Sequence, residues 1–206
     1  MSRLILASGS PRRIQLLREA KFEPEVVPAD VEELWCDFLT PTELTLFNAF
    51  QKAAAVAIRH PDAVVLGADT LVALGSEVFG KPRDLVEARR MLEELVGKTH
   101  DVITGISLIQ MTVGRVITRA VHTAVKFRPL TATEIEAYLK IAEPLDKAGA
   151  YAAQKSPDLI IEQIDGSLTN GCASIRSRNA AGCNRALEWL NRFTTTYGNA
   201  GKQAAE

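Results

Sequence analysis

The amino-acid sequence predicts an α/β protein built on a mixed sheet, and two observations carry that prediction. Segments of strand and helix periodicity are interleaved along the chain, yet several strand pairs are joined by tight turns instead of helices. Ala63-Val64-Val65-Leu66-Gly67-Ala68 is a nearly unbroken apolar run, the mark of a central strand covered on both faces. The chain has 206 residues and is 47% hydrophobic, enough for one large domain or two small lobes around a substantial core.

The elements follow in order. An apolar strand at 4–7 ends in Ser8-Gly9, Ser10 is placed as an N-cap, and Pro11 opens a helix to about Ala20. Glu25-Val26-Val27 reads as a short strand before Pro28, with Asp30, Glu32 and Glu33 clustered beyond it. Thr40-Pro41-Thr42-Glu43 is a capping box, and Ala49, Ala53, Ala54, Ala57 and Ile58 give the next helix an apolar face until Pro61. The 63–68 run leads into Asp69-Thr70, continues through Leu74, and is turned back by Gly75-Ser76 toward Val78-Phe79. Asp84 caps a helix to about Val96, with Gly97 as its stop. Two long strands, 100–110 and 115–128, meet near Gly114. Thr131-Ala132-Thr133-Glu134 is a second capping box, opening a helix to about Ile141. A strand is expected at 159–164, a hairpin turn at Asp165-Gly166, a last helix at 185–193 and a frayed tail at 194–206.

Several function classes are disfavoured. A net charge of −1 lacks the basic excess of a nucleic-acid binder. Cys36, Cys172 and Cys183 are too scattered for a disulfide framework, and His60, His100 and His122 form no metal-binding motif. There is no signal-peptide pattern and no apolar run of bilayer length. The expectation is a cytoplasmic protein of a reducing compartment, without nucleic-acid or membrane partners.

The candidate chemistry begins at the first turn. Arg12 and Arg13 sit at a helix start, where backbone N–H groups and two guanidinium groups form a phosphate clamp. A solvated arginine pair is the plain alternative. Asp69 closes the apolar run of a buried strand, and a carboxylate there needs a partner, a metal or a task, or else caps a turn. Gly75 to Lys81 matches the start of a P-loop, but Pro82 stands where the magnesium-binding hydroxyl belongs, so that reading is rejected. Lys81 remains as a lysine on a stiff turn, either a phosphate contact or a surface residue. Lys98 and His100, after Gly97, stay open. In Glu143 to Tyr151, Asp146 and Lys147 read as an exposed ion pair, while Ala148-Gly149-Ala150 let a backbone approach a ligand closely.

Taken together and in order, Ala7 to Arg13, Gly67-Ala68-Asp69-Thr70, Gly80-Lys81-Pro82, Gly97-Lys98-Thr99-His100, and Glu143 to Tyr151 with Gln154 resemble the Maf family of nucleoside triphosphate pyrophosphatases. The resemblance implies a fold similar to the inosine-triphosphate pyrophosphatases: an elongated mixed sheet flanked by helices, with two lobes and a central cleft. It implies hydrolysis of a triphosphate to the monophosphate and pyrophosphate with a divalent cation, Mg2+ or Mn2+, and a possible homodimer. On it, Asp69 is the general base. Ser8, Arg12, Arg13, Lys52, Thr70, Lys81 and Gln154 bind substrate, and Glu33 and Asp69 hold the metal. Arg12, Thr70 and Gln154 resemble the subfamily acting on dTTP and UTP. The rivals are a pyrophosphatase for modified nucleotides and a nucleotide-binding regulator of cell division with little turnover. Two segments depart from the family pattern: Lys155-Ser156-Pro157 replaces a glycine-bearing loop, and 167–187 lacks the Gly-Leu-Pro turn. The family domain is expected over 1–193.

Overall fold

The computed structural model describes residues 3–151 and 157–166. Seven strands are β1 (Leu4–Leu6), β2 (Glu25–Val26), β3 (Val64–Leu74), β4 (Glu77–Phe79), β5 (Thr99–Gln110), β6 (Arg115–Phe127) and β7 (Ile161–Asp165). Four helices are α1 (Pro11–Glu19), α2 (Pro41–Ala57), α3 (Leu85–Leu95) and α4 (Ala132–Ala142). The strands form one mixed sheet in the order β2-β1-β3-β5-β6-β7, with β4 also on β3. β1 runs parallel to β2 and β3, and the remaining pairs are antiparallel. No helix among the described residues is long and apolar enough to cross a membrane.

Local chemistry explains most boundaries. Thr40 and Thr131 each complete a capping box with a glutamate three residues on, and the Asp84 side chain accepts from the Glu87 N–H. Gly75, Gly97 and Gly114 hold positive φ at three of the places where the chain reverses or leaves a helix. Two expectations are corrected. Ser10 is the N-cap by position, but its hydroxyl makes no cap bond; instead its N–H donates to Ser8 Oγ at 3.3 Å. The last described strand starts at Ile161, not Leu159, because Pro157 to Leu159 form a tight turn closed by the Ile160 N–H onto the Pro157 carbonyl.

The two faces of the sheet are packed differently. On one face α2 lies across β3 and β5, burying Ile5, Ala7, Val65 and Ile109 against Ala53, Val56 and Ala57. That helix approaches so closely that a Cβ on Gly67 would lie 2.2 Å from the Ala49 carbonyl oxygen, and one on Gly105 2.3 Å from that of Thr45. On the opposite face there are two apolar clusters. One joins α1 to Leu4, Leu6, Val64, Leu66, Ile106 and Leu108; the other joins α3 and α4 to Val72, Val102, Val125 and Phe127. Between them, on the same face by strand alternation, lie the hydroxyls of Thr70 and Thr104, 3.0 Å apart. The gap between the clusters is the floor of a cleft.

The topology opens the same place from the side. β5 covers one edge of β3 from Val65 to Ala73. The other edge is paired with β1 at Val64 to Leu66 and with β4 at Val72 to Leu74. Among the described residues the stretch 67–71 therefore has no strand neighbour on that edge, and Asp69 lies in its middle. The strand continues through Asp69 to Leu74, as the sequence predicts; what changes at Asp69 is its partner on that edge. Ligand crevices form at such switch points in α/β sheets.

Candidate active site

A cavity of about 1710 Å3 fills the cleft. Its walls include Ser8, Arg12 and Arg13 at the start of α1, Glu33 and Trp35 on the segment before α2, Lys52 on α2, Asp69 and Thr70 on β3, and Lys81 after β4. All the sequence-predicted site residues within the described part thus come together. Gln154 lies outside the described residues, as do Lys155, Ser156, the divergent segment 167–187, the expected last helix and the tail.

Asp69 is 4% exposed. Its Oδ1 accepts from Lys52 Nζ at 2.6 Å, and the same ammonium lies 2.6 Å from Glu33 Oε1. Lys52 and Asp69 are nearly out of solvent, with side chains 12% and 6% exposed. Stripping water from the two charges is costly, and removing one partner would leave the other uncompensated. Burial pushes the Glu33 carboxyl up, but the Lys52 bond and charge, with Lys81 and Arg13 beyond, hold it below its ordinary value. A metal bound by both carboxylates is compatible with this donor set. The pair already shares one cation, the lysine ammonium, and magnesium is commonly held by one or two carboxylates with substrate phosphates completing its shell. Among the described residues no group of three or more His, Cys, Asp or Glu is placed to hold a metal by itself.

Arg13 faces this triad from α1. Its guanidinium donates to Ser8 Oγ at 3.2 Å, to the Ala68 carbonyl on the open edge of β3 at 2.9 Å, and to Thr70 Oγ1 at 3.2 Å. Thr70 is in turn bonded to Thr104. The Thr70 hydroxyl is thus spent on the arginine and the cleft floor. Arg12 also lines the cavity; it reaches Glu19 only at 3.9 Å, and its buried Nε has no hydrogen-bond partner among the described residues. Lys81 is exposed on the far wall.

Other readings are corrected or settled. Within 148–150, Gly149 serves packing: a Cβ on it, at φ +67°, would meet the Val72 side chain at 3.0 Å, and its N–H donates to the Gly80 carbonyl, while Ala148 lines the cavity. Lys147 does pair with Asp146 and also reaches the Glu143 carbonyl. His100 is a core residue, 2% exposed, bonded through Nε2 to the Tyr151 hydroxyl at 2.9 Å and packed edge-on against Phe127. Desolvation lowers its pKa to about 4. Two residues escaped the sequence reading. Thr104 carried no signal in an apolar strand. Asn48 did carry one: a buried amide one helical turn before Lys52, on the face that reaches Asp69.

Comparison with known proteins follows the same lines. The family described as Maf-like protein matches residues 3–171. A dTTP/UTP pyrophosphatase of Bacillus cytotoxicus is 45% identical over 166 residues, covering 81% of this chain and 86% of its own length. A protein of the same description from Bacillus cereus is 43% identical over the same span and shares. Among solved structures, a HAM1 protein from Coxiella burnetii aligns over 62% of this chain and 73% of its own, at 16% identity and a TM-score of 0.39.

Proposed function

The chain belongs to the Maf-like family, and from that premise we propose that it hydrolyses nucleoside triphosphates, dTTP and UTP foremost, to the monophosphate and pyrophosphate. The observation that carries the reading is the Glu33–Lys52–Asp69 triad facing an arginine fixed on Ser8 and Thr70 across one cavity. It has the parts that attack of water on the α-phosphorus requires.

In this mechanism the triphosphate enters with its charge toward Arg12, Arg13 and Lys81. Arg13 is preorganised, so little side-chain entropy is lost when phosphate arrives. Lys52 holds Asp69 Oδ1, and Oδ2, which receives only a long 3.4 Å contact from Asn48 Nδ2, orients the water and takes its proton. The water oxygen bonds to the α-phosphorus, the bond to the bridging oxygen of the β-phosphate breaks, and pyrophosphate departs. Charge that grows on the leaving oxygens is met by the cationic groups of the cleft. A divalent cation held by Glu33, Asp69 and the phosphates supplies charge neutralisation when bound. Gln154 is the proposed reader of the base: an amide offers a donor and an acceptor together, matching the O4–N3 edge of uracil or thymine. Thr70, already engaged by Arg13, acts on the phosphate side.

Pyrophosphate release with magnesium across a triphosphate panel tests this. UTP and dTTP are expected to exceed CTP, ATP and GTP in kcat/KM. Asp69→Asn is expected to keep the fold by circular dichroism and to lose at least about 90% of turnover. ATP as best substrate would refute the pyrimidine preference; no pyrophosphate from any triphosphate would refute the activity.

A further inference from the structure

We infer that Asn48 is a positioning residue that sets the wall of the cleft carrying Glu33 and Trp35. Residues 27–40 lie between β2 and α2 and form neither helix nor strand. Such a segment has no ladder to hold it, and a side chain projecting from it into a cleft is only as well placed as its backbone. Asn48 supplies the missing ladder. Its Oδ1 accepts from the Leu34 N–H at 2.8 Å, and its Nδ2 donates to the Leu34 carbonyl at 3.1 Å. The amide thus does for Leu34 what a neighbouring strand would do.

Leu34 is the residue between the two that face the cavity. Before it, Glu33 reaches Lys52, one helical turn beyond Asn48. After it, the Trp35 ring lies against Gly80, whose Cβ, if added, would sit 3.3 Å from the indole. A second, longer contact of Asn48 Nδ2, 3.4 Å from Asp69 Oδ2, ties the same amide to the other carboxylate of the triad. Asn48 is 2% exposed, on a buried helix face that also carries Thr45 and, one turn on, Lys52. An amide buried there is costly unless both its ends are bonded, and both are. Its polarity therefore has a task that an apolar residue of the same volume could not perform.

The structural half of this inference stands apart from the proposed hydrolysis; the kinetic half rests on it. The test uses the full chain carrying Trp189→Phe, so that of its two tryptophans only Trp35 remains to emit. Asn48→Leu, shown folded by circular dichroism, is expected to change the acrylamide quenching of Trp35, which is 56% exposed and leans on Gly80 in the parent. It is also expected to lower kcat with UTP by at least about tenfold, since a shift of an ångström at a reacting site suffices for that. In a Glu33→Gln background the further loss should shrink to under about threefold, because the residue through which Asn48 acts is already disabled. Unchanged quenching, or a loss that multiplies in full on Glu33→Gln, overturns the inference. If Asn48→Leu does not fold, Asn48→Asp carries the quenching test alone: it keeps the acceptor for Leu34 N–H and loses both donations, while its charge beside Asp69 takes kcat out of the comparison. If the parent protein releases no pyrophosphate, the proposed activity fails and the quenching result alone decides the role of Asn48.

Discussion

Arg13 shows what a single residue gains from its setting. At the start of α1 two adjacent arginines lie against the positive end of the helix dipole, an unfavourable place for a cation. The hydroxyls of Ser8 and Thr70 and the carbonyl of Ala68 offset this for Arg13 by accepting from its guanidinium. The bonds use the planar fork: one terminal nitrogen serves Ser8 and Ala68, the other Thr70. A lysine has no such fork and cannot satisfy these acceptors in one geometry. Arg13→Lys is accordingly expected to lower kcat/KM for UTP by at least about tenfold although charge is conserved. Steady-state kinetics check this, and parity with the parent would remove Arg13 from the phosphate site.

At the scale of elements, the decisive contact is α2 against the central strands. Asp69 and Gly105 are directly paired across β3 and β5, and Gly67 lies two residues before Asp69 on the same face. Both glycines let the helix backbone come close enough for Lys52 and Asn48 to reach Asp69. An added methyl at either position would overlap helix backbone, which cannot yield as a flexible side chain would. Gly67→Ala and Gly105→Ala are each expected to cost about 1–3 kcal/mol, or more if α2 must move. Urea denaturation measures it, with a lower midpoint expected for both. Activity should fall with stability, because a displaced α2 carries Lys52 away from the carboxylates.

For the molecule as a whole, the cleft is what remains when two apolar clusters share one sheet face without meeting. Against Phe127 and Tyr151 of the larger cluster packs a titratable group, His100, kept neutral by burial. Its ordinary pKa is 6.5 and its folded one about 4. Between those values the unfolded chain binds more protons than the folded one, so stability is full above about pH 6.5 and falls as pH drops toward 4. At pH 5 this histidine alone is expected to cost roughly 2 kcal/mol relative to pH 7. Urea unfolding at the two pH values measures the total loss; His100→Gln should show a smaller pH dependence than the parent, and an equal one would clear His100 of the effect.

The sequence by itself determined the element order, the capping boxes, the mixed character of the sheet, and the residue types of the site. These depend on short-range chemistry: hydrophobic period, N-cap side chains, and glycines at positive φ. It also marked Asp69, since a carboxylate in an apolar run is anomalous wherever the strand lies. Tertiary structure alone decided that Asp69 sits at a change of strand partner, because pairing register joins residues far apart in the chain. It decided that Lys52 bridges Asp69 to Glu33, and that Thr70 bonds to Arg13. It also decided that Gly149 packs on Val72. Even the Asn48 signal, a polar residue on a buried helix face, acquired meaning only once Leu34 was seen beside it. Periodicity tells which side of an element is covered, whereas the covering residue is fixed by how the elements pack.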